Sequence, residues 1–349
     1  MNLNLQSFGK EKPPFIIAEM SGNHNQSLER ALKIIDEAAA SGVNAIKLQT
    51  YKANTITLDC SSNDFVVLDP NSLWKHQKLY NLYEQAFTPW EWHEALFKRS
   101  SEKGIICFSS PFDITAVDFL EKLENPIYKI ASFEVTDLQL VKKIASTKKP
   151  VIASTGMASL SEIDEMVRTL RHNGCPEITL LKCTSTYPAQ PRDTNLLTIS
   201  HMKNAFNTSV GLSDHTLGIG VAIASVALGA SIIEKHFTLS RADGGVDSTF
   251  SMEPNEMKML VSETQRAWQA LGEVKYGCSG ENEEKSKKYR RSLYASSDIK
   301  KGEVFTDKNI QSVRPSFGLP TKFFEDIIGH CAKCNIAFGT PLNFEHIDW

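Results

Sequence analysis

From residue 14 onward, short runs that are apolar throughout alternate with longer segments whose apolar residues recur every three or four positions. The runs are FIIAEM (15–20), NAIKLQT (44–50), IICFSSPF (105–112), IYKIASFE (127–134), PVIASTGM (150–157), ITLLKCTSTYP (178–188), SVGLSDH (209–215) and SIIEKHF (231–237). Segments such as SLERALKIIDEAAASG, ITAVDFLEKL, DLQLVKKIAS and LSEIDEMVRTLRHNG separate them, and a last helix is expected near 254–272. The sixth intervening helix is the weakest of the series. Strands without a polar face are covered on both sides, as in parallel sheets. Right-handed strand–helix units repeated eight times predict a closed (β/α)8 TIM barrel. A doubly wound open sheet is the alternative, but no GxGxxG follows the first strand.

The pattern breaks in three places. Residues 51–86, containing NSLWKHQKLYNLYEQAF, form an excursion on the catalytic side just after the second strand. Residues 274–290 are charged and lack apolar periodicity, which predicts a linker. Beyond it, 291–349 alternates short β-like pieces with KKGE-type turns, predicting a small, mostly β domain after a barrel domain of 1–273. The length of 349 residues suits that division, and the 41% hydrophobic content suffices for a sizeable core. A net charge of −3 gives no argument for nucleic acid or a membrane surface. No apolar run approaches the roughly 18 residues of a membrane span, and the start lacks a basic-then-apolar leader pattern. The protein is therefore expected to be soluble and cytoplasmic. Seven scattered cysteines fit reduced thiols. The CAKC pair at 331–334 lacks the second pair a zinc site needs.

Barrel chemistry sits at the carboxyl ends of the strands. Those ends carry Glu19, Lys47, Gln49, Ser110, Lys129, Ser132, Glu134, Ser154, Tyr187, Ser213, His215, Glu234 and His236. Lys47 and Lys129 interrupt apolar strands, where an unpaired charge costs several kcal/mol. Glu19 or Glu134 would serve as a structural partner. The surrounding hydroxyls favour a bound phosphate, whose oxygens each accept more than one hydrogen bond. His215 and His236 lie at matching points of two successive strands. That placement favours a shared divalent metal over two independent histidines at the core edge. Mn²⁺, Mg²⁺ or Co²⁺ would each accept mixed nitrogen and oxygen ligation.

FIIAEMSGNH, AIKLQTY, CFSSPF, YKIAS, STGM, GLSDHT and GASIIEKHF, taken in order, resemble the sialic acid synthase family. RSLYASSDIKKGEVFTDKNIQSVRPSFG is similar to that family's antifreeze-like (SAF) domain. Within the family, KCTSTYP and the 51–86 excursion resemble the branch whose acceptor is 2,4-diacetamido-2,4,6-trideoxy-L-altrose. The N-acetylneuraminate and legionaminate branches are the runners-up. The resemblance implies condensation of phosphoenolpyruvate with an N-acetylated amino sugar and water, with C–O cleavage releasing phosphate. It implies that Lys47, Ser110, Lys129, Ser132, Ser154 and Ser213 hold phosphoenolpyruvate, that His215 and His236 hold the metal, and that Glu19 acts on the attacking water or the intermediate. Gln49, Tyr187, Glu234 and Asp247 would face the sugar. Arg314 would come from the other subunit of a domain-swapped homodimer.

Overall fold

The computed structural model describes residues 5–70 and 72–349. The chain divides after Gly272 into two compact units. In the first, eight parallel strands close on themselves in sequence order: β1 (Phe15–Glu19), β2 (Ala45–Thr50), β3 (Ile106–Pro111), β4 (Tyr128–Ile130), β5 (Val151–Ser154), β6 (Ile178–Cys183), β7 (Ser209–Ser213) and β8 (Ile232–His236). β8 pairs with β1 over five residues, from Phe15 opposite Ile232 to Glu19 opposite His236.

Alternation along each strand sorts the apolar residues into two cores. Ile16, Ala18, Ile46, Leu48, Ile130, Leu180, Leu212 and Ile233 point outward and pack under the helices. Phe15, Ile17, Ala45, Phe108, Ile127, Ile152, Leu181 and Ile232 fill the interior, with Leu5 joining them from the amino-terminal segment. Each of the leucine, isoleucine and phenylalanine side chains removed from water contributes about 1.5–3 kcal/mol. Continuing the interior positions toward the carboxyl ends changes their chemistry: Glu19, Lys47, Gln49, Ser110, Lys129, Ser154, Cys183, Ser213, Glu234 and His236 occupy the same parity. The lower barrel is thus a packed plug and the upper barrel a polar chamber. Gly211 marks how tight the plug is. A Cβ there would lie 2.3 Å from the Ile232 carbonyl oxygen and 2.7 Å from Leu181, so even alanine would force the strands apart.

Side-chain caps fix where the helices start. Ser27 accepts from Arg30 N ahead of the helix Leu28–Ala40, and Ser159 forms a capping box with Glu162 ahead of Leu160–His172. The weak sixth helix is present at Thr198–Phe206, where Ile199, Met202 and Phe206 turn a narrow apolar stripe inward. The predicted linker is not featureless. It holds a short helix, Glu281–Ser286, whose first turn carries Glu281, Glu283 and Glu284. Acidic residues there suit the helix dipole, which periodicity does not report. In the second unit Ser292–Ala295 pairs antiparallel with Ile310–Val313, and Cys331–Ala332 with Ile347–Asp348. These short strands enclose Leu293, Ile299, Phe305, Ile310 and Leu342. All seven cysteines are free. No helix among the described residues is long and apolar enough to cross a membrane.

Two histidines outside the barrel lock its upper rim. The His93 ring bonds the Thr50 hydroxyl at 2.7 Å and the Pro89 carbonyl at 3.2 Å. His24 Nδ1 accepts from Gln26 N at 3.2 Å. Burial holds both imidazoles down to about 4, and their mutual proximity lowers His24 further. In the unfolded chain each protonates near 6.5, so between about 6.5 and 4 the unfolded state binds more protons. Stability should therefore fall with pH through that window, by ~2 kcal/mol per histidine at pH 5 relative to pH 8. Denaturant titrations of the wild type and His93→Gln at both pH values test this. An identical pH slope in the variant would rule the His93 imidazole out as a cause.

Candidate active site

The polar chamber is organised around one carboxylate. Lys47 Nζ lies 2.7 Å from Glu19 Oε2 and 3.0 Å from Glu234 Oε1. Lys129 Nζ reaches the same Glu234 oxygen at 3.4 Å, and Ser213 Oγ donates to it at 3.2 Å. Gln49 Nε2 donates to Glu19 Oε1 at 2.9 Å. Register produces part of this contact set directly, since Glu19 sits opposite Lys47 and Ser213 opposite Glu234. Burial alone would raise Glu234, but Lys129 and Lys47 outweigh it and hold the carboxyl down to about 2. Burial lowers Lys47 to about 7 against the pull of Glu234. Contact with two carboxylates within 3.0 Å favours its ammonium form.

Two lysines facing Glu19 and Glu234 make a nearly neutral cluster rather than a bare cationic cradle. Glu19 is one of the structural partners expected from sequence. Glu234, expected to face a sugar, is bonded to both lysines. Donors for an anion remain. Ser154 Oγ is buried and unpartnered, each ammonium carries three N–H groups, and the hydroxyls can rotate. Ser110 Oγ donates to the Lys129 carbonyl at 3.1 Å. Ser132 Oγ accepts from Gly156 N at 3.2 Å. A Cβ on Gly156 would fall 2.2 Å from Ser185 Oγ and 2.9 Å from Ser132 Oγ, so glycine is what lets this hydroxyl pair close on the end of β5.

Across the chamber, the rings of His215 and His236 stand 5.3 Å apart, centroid to centroid. His215 Nδ1 lies 2.9 Å from the Thr184 carbonyl. Donating there fixes the tautomer that leaves Nε2 free, the support a metal-binding histidine ordinarily receives. His236 Nδ1 is buried without a hydrogen bond, 3.7 Å from Asp247 Oδ2. Burial, then the positive neighbours His215 and Lys47, push His236 well below its usual range, which favours the neutral ring with a free nitrogen lone pair. These donors fit a divalent ion that keeps open positions. No third His, Cys, Asp or Glu completes a cage among the described residues. Asp247 is also held by a hydrogen bond from Ser21. Tyr187 packs against His215 at 4.5 Å and Phe250 at 5.2 Å. Burial raises its phenol, which stays a donor.

Sequence reasoning named Glu134 as a structural partner for the lysines and placed no role on Cys183 or Phe250, all of which the fold brings here. Glu134 carries a buried, unpartnered oxygen, and burial raises its carboxyl to about 7 in spite of Lys129. Cys183 shares the inward parity of Ser213, a signal that alternation offered. Phe250 packs edge-on against His236 at 4.9 Å, arriving from a loop with no periodic signal. Other strand-end residues face away. Lys235 pairs with Asp214 at 2.9 Å and donates to the Thr216 and Gly218 carbonyls, clamping the loop after β7. Arg314 belongs to the second unit and is exposed, just beyond the strand Ile310–Val313.

The class of protein is that of closed (β/α)8 barrels whose mouth joins a lysine–carboxylate–hydroxyl cluster to a histidine pair. The chain belongs to the NeuB family, whose model matches residues 34–276, and an SAF domain matches residues 290–348. It is 45% identical to a pseudaminic acid synthase of Campylobacter jejuni serotype O:2, over 97% of this chain and 98% of that protein. It is 40% identical to the N,N'-diacetyllegionaminic acid synthase of the same strain, over 93% of this chain and 97% of that one. The crystal structure of N-acetylneuraminic acid synthetase from Leptospira borgpetersenii in complex with citrate superposes with a TM-score of 0.70 at 35% identity. It covers 78% of this chain and 90% of that one.

Proposed function

We propose that the barrel mouth condenses phosphoenolpyruvate with 2,4-diacetamido-2,4,6-trideoxy-L-altrose and water to give pseudaminic acid and phosphate. The observation that carries this reading is the juxtaposition in one chamber of the Lys47–Lys129–Glu234 cluster, with Ser154 unpartnered, and the His215–His236 pair. Near-full-length identity to pseudaminic acid synthases supports the choice of acceptor.

Lys47, Lys129 and the hydroxyls of Ser110, Ser132, Ser154 and Ser213 bind the phosphate and carboxylate of phosphoenolpyruvate. A divalent ion held by His215 and His236, whether Mn²⁺, Mg²⁺ or Co²⁺, would supply Lewis acidity toward the open-chain aldehyde. The enol carbon bonds to the aldehyde carbon, leaving positive charge at the carbon bearing the phosphate ester. Glu19, held by Lys47 and Gln49, would stabilise the charge and take the proton of the water that adds. The resulting tetrahedral centre expels phosphate by breaking its bond to carbon. Gln49 orients Glu19 by donating to it, and Tyr187 and Asp247 line the acceptor side.

Phosphate release measured with phosphoenolpyruvate and each of several sugars tests the reading. Rapid release is expected with the diacetamido-trideoxy sugar and slow release with N-acetylmannosamine. An apolar site around a methyl rejects an added hydroxyl by only about 10²-fold, so the preference should be strong but leaky. Equal or better kcat/KM with a legionaminic or neuraminic precursor would move the chain to the second reading, for which the 40%-identical legionaminic relative speaks. The enzyme works in the cytoplasm, where phosphoenolpyruvate is made, and acts as a domain-swapped homodimer. In that assembly Arg314 of one subunit donates its guanidinium fork to the N-acyl oxygen bound by the other. Mixing inactive Arg314→Ala with inactive Glu19→Ala is expected to restore activity, because one mixed dimer site is intact. No recovery after verified subunit exchange would count against action in trans.

A further inference from the structure

Beside the chamber lies a second cavity, of about 510 Å³, that the reaction scheme above does not use. It opens between the loop after β1, the 51–86 excursion and the loop at 245–249. Trp74 is the wall it shares with the catalytic mouth. The indole N–H donates to the Val246 carbonyl at 3.1 Å, and the ring meets Tyr187 at 6.0 Å, which in turn packs on His215. The cavity is pre-formed. Gln26 Nε2 donates to the Gln85 and Phe87 carbonyls at 3.0 and 2.8 Å, tying the excursion helix Leu79–Ala86 to the loop after β1.

Its lining is unlike the chamber's. None of the described residues around it is charged, so nothing there matches a phosphate or carboxylate. What it offers is side-chain amides and an apolar surface. The amides of Gln77 and Gln85 have no partner among the described residues, while Trp74 and the buried Leu82 supply the apolar part. An amide ligand presents one donor and one acceptor, which side-chain amides match in both directions. A methyl group or the carbon face of a sugar suits an indole.

Resting on the reaction assigned above, we infer that this cavity receives the far end of the acceptor, with its 4-acetamido arm on Gln77 and Gln85 and its C6 methyl against Trp74 and Leu82. The aldehyde end then remains at the histidine pair. The excursion becomes the element that distinguishes a diacetamido acceptor from one with a hydroxyl at C4.

Steady-state kinetics of Gln77→Ala/Gln85→Ala with the 2,4-diacetamido acceptor and with its 4-hydroxy analogue test the assignment. The expected result is a rise of about tenfold in KM for the diacetamido sugar, the size of losing one or two neutral hydrogen bonds. The kcat, the KM for phosphoenolpyruvate and the kinetics of the 4-hydroxy analogue should stay within about twofold of wild type. Both glutamines are exposed, so the fold should survive, and Gln77→Glu gives a second variant expected to discriminate the same way. An unchanged KM, or equal loss for the two sugars, would overturn the inference and leave the reaction standing. No phosphate release by the wild type with either sugar would remove both.

Discussion

Turnover by the His215→Ala/His236→Ala variant is expected to fall by about 10³-fold or more, and wild-type enzyme in excess chelator should fall as far. A Lewis acid lowers the barrier by several kcal/mol, and about 4 kcal/mol corresponds to that factor. The two rings stand 5.3 Å apart, with His236 Nδ1 buried and without a hydrogen bond and His215 bonded through Nδ1 to the Thr184 carbonyl, so chelation of the wild type separates loss of metal from loss of those contacts. Restored turnover on adding Mn²⁺, Mg²⁺ or Co²⁺ to chelated wild type, with none in the variant, completes the expected pattern. Metal content read directly by Mn²⁺ paramagnetic resonance should drop from about one ion per chain to none. Full activity in excess chelator would end the metal assignment.

The second large effect is expected at Glu234, where removal of the carboxylate should cost stability that phosphate partly restores. Glu234→Ala leaves Lys47 and Lys129 buried with Glu19 as the one remaining carboxylate in contact, at 2.7 Å from Lys47. Breaking a buried ion pair by removing one partner costs about 3–5 kcal/mol. The melting temperature should fall by roughly 10 °C for a chain of this size. Millimolar inorganic phosphate should recover part of that loss, because the ion replaces the missing carboxylate between the lysines. Lys47→Ala inverts the situation, leaving two carboxylates facing one another. It should also melt early, gain nothing from phosphate, and raise the KM for phosphoenolpyruvate roughly tenfold or more while sparing that of the sugar. Phosphate that stabilised both variants equally would show that the lysines are not its site.

Much of this chamber is legible before any coordinates. A period-two alternation running from Phe15 to Glu19, or from Ile232 to His236, says which residues share the inside of a strand. That is enough to group Lys47, Lys129, Ser154 and Ser213 with the histidine pair. What alternation does not contain is the distance across a closed barrel. Lys129 on β4 meets Glu234 on β8, while Glu134, far nearer in sequence, leaves an oxygen unpartnered. Closure alone decides that exchange, because the barrel's tilt sets which opposite strands face each other at a given height. The excursion was visible as an interruption, and Trp74 lies within it. Its contact with Tyr187 depends on a loop whose path no periodicity encodes. The helix Glu281–Ser286 went unread for a different reason: its support is charge near one end rather than a buried stripe.

The sorting of interior positions into a packed lower half and a polar upper half bears on how such a protein tolerates change. Outside the buried Lys47–Lys129–Glu234 cluster, a side chain can be exchanged near the carboxyl end of a strand without disturbing the plug two residues below it, so the acceptor can be altered there at modest cost to folding. Deleting one residue within β8 is another matter. The slip would turn Glu234 and His236 toward the helices and bring Ile233 and Lys235 inside, exchanging outer wall for inner in a single step. Laboratory diversification of this scaffold therefore belongs in substitutions at the mouth and in length changes of the excursion, with strand lengths held constant.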